Sequence, residues 1–145
     1  MLLGSSIGVL VGIANHDWAS IGVEGVGDVF KDTGTVIFIA ANRISYVLGL
    51  RGPSVALNTA HSASLVATHV GLEALGRNRN GFGSVASVLV AGVKLALLPS
   101  TFIFHSAAAV AAPSGRSKTF DSAANGMAFG EGCGAMVLRH GGLTG

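Results

Sequence analysis

The stretch IGVLVGI, residues 7–13, is apolar or glycine at every position. A strand with one wet face alternates apolar and polar residues. An unbroken apolar run instead suits a strand covered on both faces, as in parallel sheets flanked by helices. Two more runs share this character. Ser54, Val55, Ala56 and Leu57 form a short one that stops at Asn58, and SVASVLVAGVKLAL, residues 84–97, begins as another. CGAMVLRH, residues 133–140, reads as a last strand. Between the runs the spacing changes. Ile37, Ala40, Ala41, Ile44, Val47 and Leu48 recur at helical intervals and are stopped by Gly49 and the Gly52-Pro53 pair. Residues 61–76 read as a helix with Leu65, His69, Leu72 and Leu75 along one side, and residues 99–112 as another. Residues 17–34 read as loop with at most a short helix, 76–83 as a polar turn, and 113–132 as a long loop. Strands alternating with helices predict a layered α/β fold with a mainly parallel sheet.

Composition narrows the function classes. The chain has 145 residues, enough for a single domain spanning 1–145. Half of it is hydrophobic and 11% is charged, which excludes a disordered or coiled-coil chain. The net charge is +2 and the basic residues are scattered; Arg77 and Arg79 read as a solvated loop, so no nucleic-acid partner is expected. A lone cysteine, Cys133, excludes an intramolecular disulfide and suits a reducing, cytoplasmic setting. No basic segment precedes the apolar start, which argues against a secretory leader. Leu95 to Gly115 lacks formal charge, yet Pro99, His105 and several serines make it too polar for a membrane span. No cofactor is implied, since there is neither a metal-ligand cluster nor a dinucleotide fingerprint.

The residues with the most chemical content lie where the strand at 54–58 runs into the helix after it. A helix N-terminus carries unpaired N–H groups and a positive potential. In open α/β sheets, ligands gather at this carboxyl end of the strands. Enzymes use the geometry to expose a nucleophile whose anion the helix stabilises. Here the exposed position holds His61, flanked by small residues: Thr59, Ala60, Ser62, Ala63 and Ser64. The segment has the form of a nucleophile turn with an unexpected residue in it.

LNTAHSASLVA resembles the Asp-Thr-Ala-Cys-Ser-Ser-Ser-Leu-Val-Ala signature of β-ketoacyl synthases, in particular the ketosynthase domains of modular polyketide synthases and related fatty acid synthases. Other segments agree, in the family's order, from about residue 9 to 140. VGIANHDWA resembles Val-Gly-Ile-Ser-(Asn/Ser)-His/Asp-Tyr, and TGTVIFIAANRISYVLGLRGPSVAL resembles Thr-Gly-Thr…Ala-Asn-Arg-(Ile/Leu)-Ser-Tyr…Gly-Leu-(Arg/Lys)-Gly-Pro-Ser. LVAGVKLALLPS resembles Leu-Ala-Gly-Gly-Val-Asn-Leu…Ser-Pro. GRSKTFDSAANGMAFGEGCGAMVLRH resembles Gly-Arg-Cys-Lys-(Thr/Ala)-Phe-Asp…Ala-Asp-Gly-(Tyr/Phe)…Gly-Glu-Gly-Cys-Gly.

The resemblance implies a partial thiolase-like fold covering the family's N-terminal half, layered α/β/α, without the first strand or the C-terminal half. It places that first strand in the middle of the sheet, which would leave two neighbours unpaired and the isolated chain poorly stable. It implies a homodimer through the strand at 54–58, and an acyl carrier protein as partner. The family reaction moves an acyl chain to the cysteine and extends it by decarboxylative Claisen condensation with a malonyl group. His61 occupies that cysteine's place, and its backbone N–H would be one arm of an oxyanion hole.

The family's two catalytic histidine motifs, Glu-Ala-His-Gly-Thr-Gly-Thr and Asn-Ile-Gly-His, are not in this chain, and His16, His69, His105 and His140 stand in other contexts. Asn58 replaces the usual Asp, Ala63 a Ser, and Asn125 and Phe129 the usual Asp and Arg; a few residues near GRNRNGFG look inserted. Three readings of His61 stay open: a site without turnover, acyl binding or decarboxylation without condensation, and a cysteine misread in the sequence. A fragment that dimerises or touches the carrier without catalysis is the alternative function. His16 is expected to be structural or pocket-lining, His69 a packed helix residue and Cys133 core. Gly130 and Gly132 are expected to permit close backbone approach. Glu131 is read as either a buried partner or a solvated loop residue.

Overall fold

The computed structural model describes residues 3–21, 31–75 and 85–141. Four strands, β1 (Ile7–Ile13), β2 (Ser54–Leu57), β3 (Ser87–Lys94) and β4 (Gly132–Arg139), form one sheet in the order β2-β1-β3-β4. β1 runs parallel to β2 and β3, and β4 is antiparallel to β3. The helices are α1 (Lys31–Thr35), α2 (Ile37–Leu48), α3 (Ala63–Leu75) and α4 (Pro99–Ala107). The mixed, mainly parallel α/β architecture is the one the apolar runs predict.

The unbroken runs are explained by two cores, one on each face. On one face Leu10, Val88 and Val90 pack with Ala67, Ala74 and Leu75 of α3. On the other, Val9, Val11 and Ala91 pack with Ala41 of α2. Successive residues of β1 thus enter opposite cores, so none of its central positions can be polar. α2 ends where the sequence stops it. Gly49 adopts φ 64°, a left-handed conformation that suits glycine, and its N–H reaches the carbonyls of Ser45 and Tyr46.

Two expectations fail. The sheet has no vacant central position: β1 is hydrogen-bonded directly to both β2 and β3, and β3 to β4. A further strand can join only beyond β2 or β4. Nor does α3 bury the side carrying Leu65, His69 and Leu72, all of which are exposed, with Leu65 at 72%. It buries Ala63, Ala67, Gly71, Ala74 and Leu75. The reason is proximity. A Cβ at Gly71 would come within 2.9 Å of Val90 Cγ2, and one at Gly12 within 2.6 Å of the Ala63 carbonyl carbon. A helix this close to a sheet faces it with small residues, and its leucines are left to point away. The segment read as inserted, and Arg77 and Arg79, lie outside the described residues.

Candidate functional site

The turn at His61 is built from its own short side chains. Asn58 Oδ1 accepts the N–H of Ala60 at 3.0 Å, an Asx turn closing the chain directly after β2. Ala60 takes φ 54°, a left-handed conformation uncommon for alanine. Ser62 Oγ donates to Thr59 O, 2.9 Å away, and also approaches Thr59 Oγ1 at 2.9 Å. Residues Ala60–Ser62 form a 3-10 turn that continues into α3, and His61 is exposed on it. Strain held by local hydrogen bonds keeps the side chain at position 61 out of the core and in solvent.

Gly12 and Gly92 bring this turn onto the sheet. A Cβ at Gly92 would lie 2.7 Å from Ser64 Cβ, so both strands carry glycine where the start of α3 crosses them. A cavity of about 590 Å³ opens beside the turn, walled by His61, Ala63 and Ser64, by Gly92 and Lys94 of β3, and by Met136 of β4, among others. That volume suits a small organic ligand.

Cys133 is not an alternative nucleophile for this cavity. Its neighbours Gly132 and Gly134 line it and Cys133 does not, because strand alternation turns Cys133 to the α2 face. Contrary to expectation Cys133 is exposed, because no helix among the described residues covers that end of β4. His69 is exposed too, as the buried side of α3 is the other one. Gly130 and Gly132 have open space where a Cβ would stand, so neither serves close packing among the described residues.

Contacts that join distant segments leave little local signal in the sequence. Asp17 Oδ2 accepts the N–H groups of Leu97 (3.0 Å) and Leu98 (3.2 Å) and approaches the Thr101 hydroxyl (3.5 Å), capping α4 from 80 residues away. Desolvation works to raise the Asp17 pKa. The side chain of Asn15, the N–H groups of Leu98 and Leu97 and the Thr101 hydroxyl together outweigh it and hold the carboxyl below its ordinary value. Glu131, exposed on its loop, accepts the Ala96 N–H at 2.6 Å, and Asn15 Nδ2 donates to Leu95 O. The strand-to-helix loop after β3 is therefore pinned by three side chains from other segments. His16 has the structural role expected of it, with Nε2 on the carbonyl of Thr35. The one local hint of the α4 cap is Pro99 at the helix start; nothing nearby points to Asp17.

Among the described residues, no three His, Cys, Asp or Glu side chains gather where they could hold a metal ion. Nor is any described helix long and apolar enough to cross a membrane.

Residues 1–141 match the family model described as "Beta-ketoacyl synthase, N-terminal domain". The chain is 39% identical over 142 residues to "Pikromycin polyketide synthase component PikAII" of Streptomyces venezuelae; the match covers 94% of this chain and 4% of that protein. It is 38% identical over 140 residues to "Lovastatin nonaketide synthase, polyketide synthase component" of Aspergillus terreus, covering 95% of this chain and 4% of the relative. Among solved structures, the ketosynthase from module 6 of the bacillaene synthase from Bacillus subtilis 168 superposes with a TM-score of 0.81 at 36% identity, over 95% of this chain and 22% of that one. The chain thus spans a small part of the relatives it matches. With sequence and fold in agreement over nearly its whole length, this chain belongs to the β-ketoacyl synthase family, in its N-terminal domain.

Proposed function

We propose that residues 1–145 form part of a ketosynthase-type domain that receives acyl thioesters from an acyl carrier protein but does not condense them. The observation that carries this is the place of His61: the exposed position of a strained strand-to-helix turn, beside a cavity, with the chain's one sulfur nucleophile on the other face of the sheet. Transfer of an acyl group to a thiolate breaks one carbon–sulfur bond and forms another, and the carrier thiol leaves with the proton. The product resists water and yields to carbanions. Transfer to an imidazole nitrogen gives an acyl-imidazole, which water cleaves before a carbanion arrives. The backbone N–H of His61 still serves as one arm of an oxyanion hole, so polarisation of a bound carbonyl is retained while durable covalent capture is lost. A reducing, cytoplasmic setting goes with the lone thiol.

Intact-mass measurement after incubation with an acyl-carrier or acyl-CoA thioester tests this. No stable adduct is expected on the wild type, and in a full-length context His61→Cys is expected to become acylated. A stable adduct at residue 61 of the wild type overturns the proposal. Absence of any gain in His61→Cys overturns the retained acyl site.

A scaffold function is favoured by a different observation. Among the described residues β2 is an edge strand of the sheet and offers an unpaired side to a second copy. A homodimer through β2 predicts that Ala56→Pro, which removes a backbone donor from this strand, lowers the mass found by sedimentation, whereas a monomeric wild type rules it out.

A further inference from the structure

We propose that Lys94 makes the cavity beside His61 selective for acyl groups that end in a carboxylate; this rests on the acyl-holding function proposed above. Lys94 is the last residue of β3, and strand alternation puts it on the same face as Val88 and Val90, towards α3. There it lines the cavity together with His61. Among the described residues these two are the only ionisable side chains in the lining, which is otherwise mostly glycine, alanine and valine and contains no carboxylate.

The ammonium is held in place. Its Nζ lies 4.9 Å from the centre of the Phe129 ring, within cation–π range. Phe129 in turn lies against the His105 ring at 4.0 Å between centres, and His105 Nδ1 donates to Thr101 O at 2.6 Å. A cation fixed by a stacked support loses little freedom on meeting an anion. The carboxylate next along the chain from Gly132, the residue paired with Lys94, is that of Glu131, and it already accepts the Ala96 N–H.

The ligand class follows from this wall. An acyl chain of a few carbons lies along glycine, alanine and valine with its thioester carbonyl at the turn. A terminal carboxylate meets Lys94, whereas a terminal methyl leaves the ammonium without a counter-charge. Thioesters of N-acetylcysteamine test the idea, because they lack the phosphates that would themselves attract a lysine. Titration calorimetry at low ionic strength compares succinyl- with butyryl-N-acetylcysteamine on the full chain. The wild type is expected to bind the succinyl thioester about tenfold more tightly. Lys94→Met, which keeps a side chain of similar length over Phe129, is expected to bring the ratio to within about twofold by weakening succinyl binding, and Lys94→Arg to restore the preference. Equal binding of both thioesters by the wild type overturns the role of Lys94 and leaves the acyl site standing. A Lys94→Met variant that loses both thioesters together assigns Lys94 a structural role and overturns its selectivity. Binding of neither thioester by the wild type overturns both this proposal and the acyl-holding function beneath it.

Discussion

β3 and β4 are neighbours of equal length, eight residues each, paired along their whole span, and their sequences SVLVAGVK and GCGAMVLR are similarly apolar. Yet Val90 is 1% exposed and Val137 is 63% exposed. Composition and secondary structure do not explain that contrast. β3 has a strand on each side, α3 over one face and the α2 core on the other. Among the described residues β4 is an edge, and most of it lies beyond the reach of α3. Below its α2 face a second cavity opens between Leu48, Leu50, Leu89 and Val137. An apolar residue on a strand is stabilised only by what stands over it. β4 therefore offers a paired backbone with side chains still to be covered.

The contrast is broken most severely at Val90. Val90→Asp places an unpaired carboxylate between β3 and α3 and is expected to cost about 4 kcal/mol or more. Circular dichroism should then find the chain unfolded at temperatures where the wild type is folded. A smaller but still large loss is expected for Gly12→Ala, about 2–3 kcal/mol, because the added carbon meets the backbone at Ala63 rather than a side chain that can turn away. Urea unfolding measures it, and an unchanged midpoint shows that α3 is able to shift.

Acid should act through Asp17. Its folded-state pKa lies below its ordinary value, so the carboxylate's stabilisation is complete above about pH 4 and is lost as pH falls through the lower folded value. Asp17→Asn keeps an acceptor for the start of α4 but has no charge to lose. Its melting temperature is expected to fall less steeply than that of the wild type below pH 4, and parallel curves would remove Asp17 from the acid response. The smallest effect belongs to β4. Val137→Asp is expected to change stability by about 0.5 kcal/mol or less, read by urea unfolding. A loss as large as that at Val90 would mean that β4 is covered in solution.

Much of the site was legible because its signals are local. Asn58, Thr59, Ala60 and Ser62 form hydrogen bonds within a few residues of one another, so a turn exposing His61 follows from the residues themselves. The second wall of the cavity was not legible. Lys94 reaches it only because β3 lies beside β1 and the glycines let α3 settle close. The α4 cap by Asp17 depends on the same adjacency across 80 residues. The side of α3 was misread because Leu65, His69 and Leu72 do share a helical stripe. Helical spacing reports that a stripe exists, and the distance to the sheet selects which stripe is buried.

By itself the sequence determined the order of strands and helices, that the sheet is mainly parallel, and which residue the turn exposes. Each of these depends on neighbours along the chain: an unbroken apolar run, a glycine that accepts positive φ, an asparagine two residues before a strained alanine. Only the tertiary structure decided that the sheet has no vacant centre, that β4 lies at an edge with Cys133 exposed, that small residues rather than leucines face the core, and that a lysine shares the cavity with His61. Those outcomes depend on which segments lie side by side, and that is settled by packing between residues far apart in the chain.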